Sequence, residues 1–532
     1  MNCISSYLTY AQTGYFSRTA LDYVQQSPSI QPFYNHPVSI AGIKSAIAER
    51  KKFPTNRKLL VTILQKQYES VHVNKLVADN IESLQQDNTF TITTAHQPNL
   101  FTGPLYFIYK ILHVAKLAEQ LKAEFPENNF VPVYYMGSED ADLEELGHIF
   151  HHGEKIEWVT SQTGAVGRMI VDKSLVKLLD NLAGELSVYP FGAEMIKLMK
   201  ECYLEGATIE QATFQLVNHL FESFGVVVLL PDNALVKAAF VPVMERELLD
   251  CFSQDSVQQT VAQFPAEYKI QASGRELNLF YLLNGQRERI ELTNGVWSVL
   301  NTELKFTKEQ ILAELNSYPE RFSPNVILRP VLQEWILPNI AFIGGGGEIG
   351  YWLQLKKVFE KTAVPYPMLV VRNSFLLIPK EIQQLIAQLQ INQADLFKTE
   401  LELINQLVKN GSLLQLDLTK EQLQLTEFYE KLQSIAGAID NTLTGHVASL
   451  QLQAAKKMAE LEKKMLRAEK KKFEAQQRQL HKIKTQLFPN NNRQERMDNL
   501  LLYYAKFGKQ FLQVVYENSP GLAQQMVVLT EV

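Results

Sequence analysis

A chain of 532 residues can bury a large core, and length alone suggests two to four domains. With 46% hydrophobic and 20% charged residues the composition is ordinary for a globular protein, which excludes a fibrous or disordered chain. The formal net charge of −5 supplies no general basic field, which argues against nucleic acid as a partner.

The first thirty residues lack a basic start followed by an apolar stretch. No run approaches the roughly 18–20 apolar residues that span a bilayer, so the reading is a soluble, cytoplasmic protein with no membrane partner. Cys3, Cys202 and Cys251 are too few and too scattered for a disulfide framework and form no CxxC pair. None has a neighbour in sequence that would activate a thiolate, so no cysteine nucleophile is assigned.

Residues 1–88 have a mostly helical pattern and read as a lead-in packed on an α/β core. From 89 to 379 short β-rich runs alternate with helix-periodic segments, the pattern of a sheet with crossover helices. Strands are expected at TFTITTA (89–95), FVPVYYM (130–136), FGVVVLLP (224–231) and PMLVVR (367–372). Between the first two, Leu105, Ile108, Ile111, Leu112, Ala115 and Leu117 fall mostly on one helical face, giving a βαβ unit with a parallel pair. Residues 232–320 interrupt the alternation with helix 234–252, a hairpin around Asn284-Gly285 and helix 307–316, and read as an insertion.

After Pro379 the pattern changes. Residues 380–488 contain only Gly411, Gly437 and Gly445 and no proline, so long helices are expected. Met458, Leu461, Met465, Phe473, Leu480, Ile483 and Leu487 step by threes and fours once Glu469 and Gln476 fill the gaps, with successive fours around Glu469 that resemble a heptad stutter. A single helix over 419–488 would reach on the order of 100 Å at about 1.5 Å per residue, too long to lie on a globule, so it must project or pair. The lysines near 470 are interleaved with Glu460, Glu462, Glu469 and Glu474, which reads as a solvated coiled-coil face rather than a nucleic-acid patch. PNNN (489–492) ends the helix, and the segment to 532 is expected to return to the core.

Three polar loops are expected at strand ends. His96, Gln97 and Asn99, followed by Gly103-Pro104, lie directly after one strand and before a helix, where open α/β folds bind ligands. Free amides at that helix start suit a phosphate or carboxylate, and a polar structural turn is the plainer alternative. The next strand ends in GSEDADLEELGH, placing Glu139, Asp140, Glu144 and Glu145 beside the first loop. These carboxylates would hold an amine or act as a base, or would only cap the following helix. The third loop holds Gly344 to Gly347 and Glu348, where backbone can approach a ligand closely or simply turn tightly. It matches neither GxGxxG nor a P-loop. Arg329, Gln333 and the Arg372-Asn373-Ser374 strand end add anion-capable donors. His148, His151 and His152 fit no metal spacing, and no tightly bound metal is expected.

AHQPNLFTGPLYFIYK, PVYYMGSEDADLEELGH, LRPVLQEWILPNIAFIGGGGEIGYWLQL and VVRNS occur in an order that resembles the bacillithiol biosynthesis cysteine-adding enzyme family. The resemblance covers about 89–375 in ordered blocks, and the long-helix region with its returning tail fits the same architecture. It implies a Rossmann-like nucleotidyltransferase-type core with inserted segments and a helical coiled coil through which the chain forms a homodimer. It also implies ligation of L-cysteine to the amine of glucosaminyl malate, the last step of bacillithiol synthesis. The chain departs from the family pattern at Ala95-His96, where Gly-Gln is usual, and at Ala141, where a histidine is usual, so that histidine's role does not carry over. Gln97, Thr102, Gly103, Lys110, Glu139, Asp140, Arg329, Gln333, Gly344, Gly345, Glu348 and Tyr351 match the pattern.

On this reading Glu139, Asp140 and His96 are expected to be catalytic. Substrate or nucleotide binding is expected at Gln97, Asn99, Thr102, Gly103, Lys110, Arg329, Gln333, Gly344, Gly345, Glu348, Tyr351 and Arg372. Amide formation from a carboxylate in water needs an activated carboxylate and a deprotonated amine, so ATP with magnesium is the expected activator. Two other readings stay open: an amino-acid-adenylating enzyme with another acceptor, and a nucleotide-binding coiled-coil scaffold without catalysis.

Overall fold

The computed structural model describes every residue except Ser273, and the chain divides into two compact units, one of residues Met1–Leu377 with Asn492–Val532, the other of Ile378–Asn491.

The first unit is built on five strands: β1 (Thr89–His96), β2 (Asn129–Met136), β3 (Val227–Leu229), β4 (Asn339–Gly344) and β5 (Met368–Val371). All adjacent pairs are parallel and the spatial order is 3-2-1-4-5, the doubly wound arrangement. Nearly every position of these strands is buried, as a parallel sheet covered on both faces requires. One core cluster packs Phe90, Ile92, Phe130, Ile340, Ile343 and Val370 of the sheet against Val114, Leu117 and Leu121 of the crossover helix α1 (Tyr106–Glu124). The threonines inside β1 are satisfied in the interior: Thr91 and Thr93 donate to Asn339 Oδ1 at 3.2 and 2.8 Å.

Helix α2 (Ile209–Phe221) leads into β3, and α3 (Ala234–Asp250) leaves it. Five short strands from 279 to 324 form the antiparallel sheet of the insertion, with Gln286–Thr293 at its centre. Its hairpin turns at Asn284-Gly285, and the φ of +73° at Gly285 is one that glycine adopts without strain. Helices α4 (Arg329–Ile336) and α5 (Gly346–Leu353) flank β4.

The amino-terminal lead-in is mostly helical but opens with a strand, Cys3–Leu8, that was not expected from the sequence. That strand pairs antiparallel with Met526–Glu531 in a sheet that also contains Ser374–Ile378. Its partner lies more than 500 positions away, so nothing in the local sequence announces the pairing.

In the second unit the expected single helix over 419–488 is instead a hairpin. Thr419–Ile439 and Leu443–Lys470 run back on one another, with Gln422 reaching Glu462 at 3.3 Å and Gln433 reaching the Thr444 carbonyl at 3.3 Å. Asp440 is extended and its carboxylate accepts from the Thr442 amide and hydroxyl, each at 2.8 Å, a side-chain turn that ends the helix without proline or glycine. The stutter position also marks an irregularity. Helix gives way to a 3-10 turn at Lys471–Phe473, and Glu469 holds Ser412 at 3.0 Å and Lys472 at 2.7 Å.

Candidate active site

The strand order reverses between β1 and β4, so the loops leaving their carboxyl ends diverge and open a crevice there. A cleft of about 670 Å³ occupies this place, a size suited to a small-molecule ligand. Its lining includes Ala95 and His96 at the end of β1, Gln97 just after it, and Gly345 and Glu348 from the β4 turn, and Asp140 and Glu145 follow β2.

The cleft is strongly cationic. Arg275, Arg287, Arg289, Arg329, Arg372 and Arg496 line it, against the carboxylates of Asp140, Glu145 and Glu348. Arg287 stacks over Phe280 at 3.9 Å and donates to Ser323 Oγ at 3.3 Å, but among the described residues it has no carboxylate within ion-pair distance. Burial and the like charge of Arg329 lower its pKa to about 10. Arg372 and Arg496 lie over the Tyr106 ring at 5.1 and 5.7 Å. An excess of guanidinium in a half-enclosed site attracts anions with paired oxygens, carboxylates or phosphates.

Asp140 is fixed by Gln97 at 3.2 Å, by the Ala141 amide at 2.9 Å and by Arg329 at 3.7 Å. Burial alone would raise its pKa, but Arg329, Arg287 and Gln97 outweigh it and hold the carboxyl below its ordinary range. Glu145 is shifted the other way, by burial first and then by Asp142 and Asp140. One site thus holds two carboxylates pushed apart in acidity. His96, wedged between Tyr106 and Phe107, has a buried Nε2 without a partner among the described residues. Burial, Lys110 and Arg372 keep its pKa well below 6.5, so it is a neutral imidazole at physiological pH.

Residues 3–373 match the family described as bacillithiol biosynthesis BshC, N-terminal Rossmann-like domain, and residues 375–531 match its C-terminal coiled-coil domain. The chain belongs to the BshC family. A relative from Flavobacterium johnsoniae is 38% identical over 531 residues, one from Flavobacterium psychrophilum is 39% identical over the same length, and one from Christiangramia forsetii is 36% identical over 536 residues. Each comparison covers 99% of both chains, and each relative carries the name "Putative cysteine ligase BshC". The Rossmann-like sheet lies in the first of these BshC regions, and the second takes in the helical unit together with the returning tail.

Of the residues expected at the site, Gln97, Asp140, Arg329, Gly345, Glu348 and Tyr351, which match the BshC pattern, line the cleft together with His96, which departs from it, and Arg372. Lys110 lies beneath the floor, buried, donating to the Ala95 carbonyl at 2.7 Å and pairing with Glu348 at 2.7 Å. Glu348 also accepts from the Gly345 amide at 2.8 Å, so the first amide of that turn is satisfied by the chain's own carboxylate. Gly344 ends β4, where its carbonyl accepts from the Arg372 amide at 2.8 Å.

Others are placed away from the cleft. Glu139, expected as catalytic, is buried in an ion pair with Lys237 of α3. Gln333 is buried against Glu334 at 2.8 Å. Asn99, Thr102 and Gly103 form a buried turn in which Phe101, Thr102 and Gly103 all have positive φ. Asn499 of the carboxyl-terminal segment holds that turn, donating to the Phe101 and Gly103 carbonyls at 2.9 and 2.6 Å. The Asp498 carbonyl takes the Leu105 amide at 2.8 Å, just ahead of α1. The polar cluster after β1 thus serves two purposes: His96 and Gln97 face the cleft, and the rest is a socket for the tail.

Arg275, Arg287, Arg289 and Arg496 add to the lining without having been singled out in the sequence as ligand-binding, and Glu145, read there as an amine-holding group, a base or a helix cap, lines it as well. The signal for two of them is legible: QRERIEL in a hairpin puts Arg287 and Arg289 on the same face of a strand. Arg496 carries no such mark, because only the return of the tail brings it to the site.

Proposed function

We propose that this chain is a cytoplasmic ligase that joins L-cysteine to the amine of glucosaminyl malate through an amide bond, the last step of bacillithiol synthesis. The observation that carries the reading is the cationic cleft at the switch point of a BshC-family Rossmann-like core, with Asp140 and Glu145 inside it. Glucosaminyl malate carries two carboxylates and an amine, and a cleft with six arginines and two unequal carboxylates matches both kinds of group.

In this mechanism the arginines hold the acceptor's carboxylates and fix its amine toward the cysteine carbonyl carbon. Glu145, whose pKa is raised, takes the ammonium proton and leaves the amine free to attack, and Asp140, which stays ionised, orients the cysteine ammonium. Neutral His96 offers a hydrogen bond to the developing oxyanion or to a leaving oxygen, and changes no charge in doing so. The donor set fits a triphosphate through Arg329 and Arg496, with Arg372, whose terminal nitrogens are held by Glu495, adding its Nε. Among the described residues no group of three carboxylate, histidine or cysteine side chains is arranged to hold a metal, so magnesium would arrive with the nucleotide. Bound there, ATP would supply the leaving group that makes the cysteine carboxylate reactive.

A homodimer through the helical unit is part of the same reading. Leu423, Ile435 and Leu452 are 61, 60 and 73% exposed along its hairpin, an apolar content that a second copy would cover. Among the described residues no helix is long and apolar enough to cross a membrane, and the three cysteines are unpaired thiols, as a reducing compartment allows.

The test is incubation of purified protein with cysteine and glucosaminyl malate, with and without ATP and magnesium, followed by thiol trapping and mass analysis. The cysteinyl amide is the expected product, formed only with ATP. Cysteine-dependent ATP consumption without that product would point to another acceptor, and ligand binding without turnover would point to a scaffold.

A further inference from the structure

The cleft has two walls from different parts of the chain. One is the β2 loop with Asp140, fixed to the parallel sheet. The other is the insertion sheet, with Leu279, Phe280, Arg287 and Arg289. A ligand spanning both is held only if the walls keep their spacing.

One buried contact joins them. Glu139, next to Asp140, is 3% exposed and pairs with Lys237, which is fully buried. The same Lys237 ammonium donates at 2.8 Å to the carbonyl of Phe322. Phe322–Pro324 is the edge strand of the insertion sheet, pairing Phe322 with Tyr281, Ser323 with Phe280 and Pro324 with Leu279. Ser323 also receives Arg287 Nε at 3.3 Å. The path from Asp140 to Arg287 therefore runs through Glu139, Lys237 and two neighbouring residues of one strand.

A buried ion pair is a poor source of net stability, because desolvation cancels most of the attraction and apolar residues of similar volume do as well. What it does give is direction and distance: Lys237 has three ammonium hydrogens, and the structure commits two of them, one to each wall. The surroundings are charged as well. Arg168 and Asp232 form a two-point pair at 2.6 and 2.7 Å, and nearby the half-buried Glu210 has a buried Oε2 without a partner among the described residues.

We infer that Glu139 and Lys237 form a positioning strut that sets the spacing of the two walls, so that Asp140 and Arg287 engage one ligand, with neither strut residue touching it. This rests on the ligase reading for its kinetic arm only.

The experiment compares Glu139→Gln, Lys237→Arg and the double variant Glu139→Gln/Lys237→Met in the full-length chain. Three readouts are taken: thermal midpoint, backbone hydrogen exchange over 279–293, and KM and kcat with glucosaminyl malate. The double variant leaves no unpaired buried charge and is expected to fold with a midpoint close to wild type. It is also expected to exchange the insertion strands at least tenfold faster and to raise KM for glucosaminyl malate at least tenfold, with a smaller effect on kcat. Lys237→Arg, which keeps the charge and the donors, is expected to recover part of both.

Unchanged exchange in the double variant would overturn the strut, whether or not the wild type makes product. Normal KM alongside a lost kcat would overturn it too, since Glu139 would then act at the reacting atoms. If the wild type makes no cysteinyl amide while the double variant shows the accelerated exchange, the ligase reading fails and the strut stands.

Discussion

Replacing Glu495 by glutamine tests how the tail is fastened to the cleft. Arg372 is 4% exposed and Glu495 fully buried, and two bonds of 2.9 Å join them, with Arg493 at 3.2 Å on the same carboxylate. Removing one partner of such a pair leaves a buried charge uncompensated, at a cost of about 3–5 kcal/mol. Unfolding entropy of about 2.1 cal/mol/K per residue gives ~0.9 kcal/mol/K for the roughly 420 residues of this unit. The expected drop in unfolding midpoint is therefore about 3–6 °C at pH 7. Burial alone would raise the pKa of Glu495, but Arg372, Arg493 and Arg496 outweigh it and hold the carboxyl below its ordinary value. A group lowered in this way stabilises fully above its unfolded pKa and loses that contribution as pH falls through the folded one. The gap between wild type and Glu495→Gln is thus expected to be full at pH 7 and at pH 5.5 and to shrink below pH 4. Scanning calorimetry of both proteins at these pH values is the assay. A midpoint within about 1 °C of wild type at pH 7, or a gap that widens on acidification, would refute the reasoning.

Three further outcomes concern the cleft. Asp140→Asn removes the carboxylate beside Arg329 and is expected to lower kcat/KM by at least about tenfold, some 1.4 kcal/mol, with the circular dichroism of the fold unchanged. Glu145→Gln is expected to cost about 10²-fold or more in kcat/KM and to abolish the acidic limb of the pH profile. In the wild type that limb should lie above the ordinary glutamate value, because burial, Asp142 and Asp140 raise Glu145; a limb that survives in the variant would assign it to another group. His96→Gln should keep activity within about fivefold, since a neutral donor replaces a neutral donor, with no inflection near pH 6.5 in either protein. An inflection that His96→Gln removes would show a titrating imidazole.

The parallel core was legible in the sequence because its strands are short apolar runs that alternate with one-faced helices, signals contained in windows of a dozen residues. The crevice followed from the order of those elements, and so His96, Gln97 and Asp140 could be placed over strand ends from the sequence alone. What stayed hidden depends on distance along the chain. Cys3–Leu8 becomes a strand only because Met526–Glu531 meets it, and Arg496 becomes part of the cleft only because Asn499 and Asp498 dock on the turn after β1. Neighbouring carboxylates were hard to tell apart for another reason: Glu139 and Asp140 are adjacent, yet a one-residue change of direction sends the first to Lys237 and the second to the cleft. The hairpin at Asp440 was missed because a side-chain turn replaced the glycine or proline that usually marks a helix end.

The tail's place in the first unit has a consequence for synthesis. A ribosome that has finished residue 377 must still make the whole of Ile378–Asn491 before Arg496 and the strand Met526–Glu531 exist. Through that interval the nascent chain already holds all five strands of the parallel sheet, but Arg372 lacks its carboxylate, and Cys3–Leu8 and Ser374–Ile378 lack the strand Met526–Glu531 that will lie between them. An unpaired strand edge is a template for other chains. Elongation speed through the helical segment, and any chaperone that shields residues 3–8 meanwhile, should therefore govern how much of the enzyme is recovered in active form.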